Sequence, residues 1–112
     1  MRKREYLGQL ELMVLLAVAG PSAKAAYGVS IARDIARSSG RQVALASVYA
    51  ALDRLENKGL LVSSLGEPTL ERGGKARTYF RATPAGMKEA RAAHATLMRL
   101  GGGLATPEGE PA

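Results

Sequence analysis

Three segments of helical periodicity, then two strand-like segments around a turn-rich loop, then a fourth helical segment predict a mainly α, α+β domain. That order is a winged helix-turn-helix with a two-stranded wing and a C-terminal dimerisation helix. The deciding stretch is "ASVYAALDRLENKGLL", residues 46–61. Val48, Leu52 and Leu55 fall at i, i+4 and i+7 and form one inward stripe. Lys58 and Gly59 then stop the helix, and "LLVSSL" follows with almost no linker. A helix packed by two others and braced at once by a hairpin keeps one side free, and a helix is the size that fits a DNA major groove.

The elements follow in order. Residues 2–6, "RKREY", form a basic arm. From about Leu7 to Ala19 the chain is helical in character, with Leu10, Leu12, Met13, Val14, Leu15, Leu16 and Val18 running nearly all round. A helix apolar on most sides is buried on most sides. "GPSAKAAYG" reads as a loop. A second helix starts at Tyr27 or Gly28, faces Val29, Ile31, Ala32, Ile35 and Ala36 inward, and ends before Gly40, which suits a left-handed cap. "RQVAL" connects, extended through Val43 to Leu45, and the third helix runs from about Ser47 to Lys58. Strand-like segments at 60–65 and 77–83 flank an eleven-residue loop, "GEPTLERGGKA". Thr83 and Pro84 signal an N-cap and first helical position, and the fourth helix runs to about Leu100. The organisation expected is thus a winged helix-turn-helix over residues 1–83, a dimerisation helix over 84–100 and a disordered tail over 101–112.

Composition bounds the function. The 112 residues suit one domain, small enough that help from a partner chain is plausible. There is no Cys, so disulfides and thiolate metal sites are excluded, and the lone His94 cannot build a metal site. "LELMVLLAVAG" is far shorter than the roughly 20 residues needed to span a bilayer. Glu5, Gln9 and Glu11 interrupt what would otherwise mimic a signal peptide, so the expectation is a core helix in a cytoplasmic protein. Residues 1–100 hold all sixteen bases and eight of the ten acids, a net charge of +8. Such a balance fits a polyanionic partner, or equally a basic surface with none. No nucleophile–base pair, metal set or phosphate-cradling glycine loop points to an enzyme, and no cofactor is implied.

The candidate contacts lie on the third helix and the wing. On a wheel at about 100° per residue, Ser47, Ala50, Ala51, Arg54 and Lys58 cluster roughly a quarter turn from the apolar stripe. The alanines let a duplex approach, Ser47 can donate to a phosphate, and Arg54 and Lys58 can neutralise phosphates. Alternatively Ser47 is an N-cap and the bases suit the helix dipole. Tyr49, in the first turn, either reaches a phosphate or packs half-buried with a wet tip. Arg72, Lys75 and Arg77 put bases on or beside a "GG" tip, suited to a minor groove or simply to a hairpin turn. On the fourth helix Met87, Ala90, His94, Leu97 and Met98 form a stripe with little left to cover in so small a domain, read as a dimer contact.

"LELMVLLAVAG", "AYGVSIARDI", "SVYAALDRLENKGLL" and "GGKARTYFRATPAG" occur in the order and spacing of the PadR-type transcriptional regulators, which the chain resembles over residues 7 to about 92. The resemblance implies a homodimeric repressor of the family's short branch, binding a palindromic operator in double-stranded DNA. It implies a contact role for Tyr49 and a basic wing at Arg72, Lys75 and Arg77. The chain departs from some short members in having no Trp, so an effector pocket is not carried over, and Leu97 and Met98 are only candidates for its wall. Two rival readings are a winged-helix adaptor for proteins and a small-molecule sensor with its pocket in the dimer seam. An adaptor need not keep a basic helix face.

Overall fold

A computed structural model describes residues 7–20, 26–66 and 76–104. The basic arm at 2–6, part of the first loop at 21–25, the wing tip with Arg72 and Lys75, and the tail at 105–112 lie outside the described residues. The elements are α1 (Gln9–Ala19), α2 (Gly28–Ser39), α3 (Leu45–Asn57), β1 (Leu61–Leu65), β2 (Thr78–Ala82) and α4 (Pro84–Gly101). Their order and type are those the sequence predicts.

The helices pack α1 against α2, α3 and α4, and α2 against α3, so α1 is the central support. Val14, Leu15 and Val18 of α1 meet Ile31 and Ile35 of α2 and Val48, Leu52 and Leu55 of α3 in one core, closed by Leu61, Phe80 and Ala90. Among the described residues Phe80 is the only aromatic in that core, so aliphatic packing carries it. The wing strands pair antiparallel, from Leu61 opposite Ala82 to Leu65 opposite Thr78. The Phe80 N–H donates to Ala26 O at 2.8 Å, so the residue before Tyr27 forms a one-residue third strand beside β2.

The junctions explain why α3 runs straight into the wing. Gly59 has φ 78°, the left-handed conformation that ends the helix. The Leu60 N–H then donates to Leu55 O at 3.0 Å, and the Thr83 N–H to Leu60 O at 3.1 Å. Thr83 also caps α4, accepting from the Gly86 N–H at 3.0 Å while its hydroxyl donates to Gly59 O at 2.7 Å. One threonine thus ties the end of α3 to the start of α4.

Two boundaries differ most from expectation. α3 begins at Leu45, with Ala44 as its N-cap, so Leu45 is helical rather than extended and Ser47 is the third helical residue, not a cap. Leu45 and Ala46 are good helix formers, and their propensity carries the helix past the serine. Gly101 still belongs to α4, and Gly102–Leu104 follow as a 3-10 turn, so the expected disordered tail is helical for its first four residues. Glycine weakens helical geometry without forbidding it.

Candidate functional site

α3 presents a buried sector, an outer sector and two flanks between them. Val48, Ala51, Leu52 and Leu55 form the buried one. Ala51 was expected on the free face; it is fully buried, beside Val48 at i−3 and Leu55 at i+4, because α1 packs against α3. Opposite the core lie Ala46, Ala50, Asp53 and Asn57, all exposed. Small side chains in the first two turns leave the helix backbone approachable there. Tyr49 borders this sector on one side, while Ser47, Arg54 and Lys58 border it on the other.

The Arg54 side is not a free basic face. Glu11 of α1 reaches across to it, with Arg54 Nε donating to Glu11 Oε2 at 2.6 Å and Lys58 Nζ to Glu11 Oε1 at 2.9 Å. The carboxylate side chain is only 12% exposed, whereas Arg54 is 51% exposed. The Lys58 hydrogen bond, with that of Arg54 behind it, holds the Glu11 carboxyl below its ordinary value against the desolvation that pushes it up. Arg54 and Lys58 therefore join α1 to α3, and a carboxylate offsets half their charge. Glu11 was legible only as an interruption of an apolar helix; a lone acid in such a run needs a partner.

On the other side, Tyr49 is 46% exposed and its ring lies across Gly28, the first residue of α2. Next to Gly28, the Tyr27 ring meets Tyr79 edge-on, with ring centroids 5.9 Å apart. The Arg77 guanidinium stacks over the Tyr27 ring, its carbon 4.0 Å from the centroid. Its buried Nε has no hydrogen-bond partner among the described residues. Arg77, expected just after the wing loop as part of a basic wing, is stacked on Tyr27 immediately before β2. No spacing along the chain announces this stack, because Tyr27 and Tyr79 meet only once Ala26 pairs with Phe80. Arg72 and Lys75 cannot be placed beside it, since they lie outside the described residues.

Glu56 faces the wing and accepts from Ser63 Oγ at 2.7 Å, which braces α3 against β1. Asp53, Arg54, Glu56 and Lys58 leave residues 45–58 with no net charge. Exposed arginines lie elsewhere, Arg41 in the turn before α3 and Arg81 on β2.

α4 sorts the predicted seam. Leu97 and Met98 are 49% and 52% exposed, and His94 is exposed beside them. Met87 is half-buried. Ala90 is buried in the core of its own chain, so it drops out of any outer surface, because α4 packs that side on α1. Leu100 and Leu104 extend the apolar surface beyond the predicted stripe. Between α1 and α4 lies an apolar hollow of about 170 Å³, lined by Leu7, Leu12, Ala92, Ala93, Thr96 and Leu97 with Glu89 at its side. Among the described residues no helix is long and apolar enough to cross a membrane.

Comparison with known proteins agrees with this architecture. A PadR family regulator from Eggerthella lenta DSM 2243 is 28% identical, superposes with a TM-score of 0.66, and is matched over 85% of this chain and 77% of its own. A transcriptional regulator from Clostridium thermocellum is 26% identical, with a TM-score of 0.63 and coverage of 81% and 82%. A PadR-like regulator from Bacillus cereus ATCC 14579, 20% identical, shares the fold at a TM-score of 0.69 over 85% and 86%. No curated protein sequence matches the chain significantly. The profile of the transcriptional regulator PadR-like family matches residues 15–92, which is most of the chain and includes α2, α3, both wing strands and the first half of α4, and the chain therefore belongs to that family.

Proposed function

We propose that the protein is a homodimeric, cytoplasmic repressor that binds a palindromic operator in double-stranded DNA. The observation that carries this reading is the outer sector of α3, where Ala46 and Ala50 leave the first two turns open between Ser47 and Tyr49. A helix entering the major groove by its N-terminal end needs that openness. Ser47 and Tyr49 then reach phosphates or base edges, and the wing with Arg72, Lys75 and Arg77 follows the backbone. Leu97 and Met98, exposed on α4, supply the apolar seam to a second copy, and a two-fold axis there sets two α3 helices about one DNA turn, roughly 34 Å, apart.

One observation favours an effector as a second reading. The hollow beside Leu12 and Leu97 is smaller than the roughly 300–1,000 Å³ of drug-sized pockets, but two of them joined across a dimer axis reach that range. A small apolar molecule held there would be sensed by α1 and α4 together.

The decisive experiment is the salt dependence of duplex binding. If the dimer neutralises about six to ten phosphates, affinity falls roughly 10³- to 10⁵-fold between 50 and 200 mM salt. A flat response in an anisotropy titration would remove DNA from the account and leave the adaptor reading.

A further inference from the structure

Gly28 opens α2, and its own backbone does not require glycine. Among the described residues positive φ occurs only at Gly40 and Gly59, so Gly28 has an ordinary helical conformation. Alanine at such a position would favour the helix. What stands in the way is Tyr49: a Cβ on Gly28 would overlap the ring Cζ and the hydroxyl oxygen and lie 2.7 Å from Cε1. The obstacle is the far end of a side chain that is half in solvent, so it can swing aside at little cost to the fold. The Tyr49 hydroxyl, meanwhile, makes no hydrogen bond among the described residues, which leaves it available to a ligand.

We propose that Gly28 is a positioning residue for DNA recognition, its missing side chain letting the Tyr49 ring lie across the first turn of α2 so that the phenol hydroxyl is held ready for a phosphate. The inference rests on the DNA-binding reading above and adds a residue to it. A phenol already docked on the helix loses little rotamer freedom when DNA arrives, whereas a swinging one must be ordered first. Glycine in this role acts through Tyr49 and need not touch DNA.

Two measurements test it. In free protein carrying ¹³C-labelled tyrosine, Gly28→Ala should shift the ring signals of Tyr49, assigned by their loss in Tyr49→Phe, while the chain stays folded. In anisotropy titrations against the tightest duplex of about 30 bp that wild type selects from a random pool, long enough for two half-sites, Gly28→Ala should weaken binding about tenfold or more. That is the loss of a hydrogen bond to a charged group. In a Tyr49→Ala background, where no ring needs the space, Gly28→Ala should change affinity by less than about twofold. Unmoved Tyr49 signals, an unfolded Gly28→Ala chain, or equal losses in both backgrounds would overturn the proposal. Failure of wild type to select any duplex would overturn the DNA reading beneath it, while the ring signals would still decide the contact between Gly28 and Tyr49.

Discussion

Glu11→Gln removes the charge that joins α1 to α3 and keeps the side chain's shape. The size of the effect follows from exposure. Fully exposed ion pairs contribute about 0.2–1 kcal/mol each, and breaking fully buried ones costs about 3–5 kcal/mol. Here the carboxylate is 12% exposed but its partners are 51% and 34% exposed, so the cations rehydrate readily once released. The glutamine oxygen also still accepts one hydrogen bond from a cationic donor. A loss of about 1–2 kcal/mol at neutral pH is expected, which for a domain of this size lowers Tm by roughly 5–15 °C at fixed protein concentration. The pH dependence has a definite sign. The folded state holds the Glu11 pKa below its ordinary 4.5, so its stabilisation is present above that value and is lost as pH falls through the folded pKa. Urea titrations of both proteins from pH 7 to pH 3 should therefore show a gap that is full at neutral pH and closes on acidification. Equal midpoints at pH 7, or a gap that widens in acid, would refute the account of Glu11 as the link between α1 and α3.

Three further outcomes are expected. Leu55→Ala, truncating a fully buried side chain between α1 and the wing, should cost about 2–5 kcal/mol in urea unfolding. Gly86→Ala should destabilise by about 1–3 kcal/mol, because a Cβ there meets the backbone of Leu60, which cannot swing aside as the Tyr49 ring can; thermal melting reads the difference between the two glycine variants. Replacing Leu97 and Met98 together with Glu should convert a dimer to monomer by sedimentation and abolish tight operator binding, since one half-site offers too few contacts; a double mutant that stays dimeric would put the seam elsewhere, with α1 the next candidate.

The helix order, both glycine caps and the Thr83–Pro84 start of α4 were legible because each rests on local chemistry that tertiary packing did not override. The third helix was legible in type and stripe but not in phase at its margins. Ala51 is compatible with either an inner or an outer position, and only the approach of α1 on that side buries it. Arg54 and Lys58 were visible as bases, but their pairing with Glu11 spans 43 and 47 residues of chain and no spacing rule reaches that far. A consequence is that Arg54→Ala should cost stability as well as any contact, because the side chain joins α3 to α1. Gly28 was legible only as a helix start, because its value lies in a ring supplied by another helix.

Charge and shape are divided between different parts of this domain. The segment spanning α3 and its exit has no net charge, since Asp53 and Glu56 balance Arg54 and Lys58, and Glu11 further offsets the latter two. The net +8 of residues 1–100 is therefore carried outside the segment 45–58, by residues such as Arg41 in the turn before α3 and Arg81 on β2. Phosphate contacts fix register without reading sequence, whereas base edges are read by hydrogen bonds and apolar contacts made inside the groove. On the proposed reading, an electrically balanced helix with alanines at its centre gains little from lying against any phosphate at random. Its own contribution comes when Ser47 and Tyr49 meet the right partners, while the surrounding arginines supply attraction common to every duplex. On that reading Glu11 serves the same division, because its pairing with Arg54 and Lys58 offsets half of their charge beside the outer sector of α3.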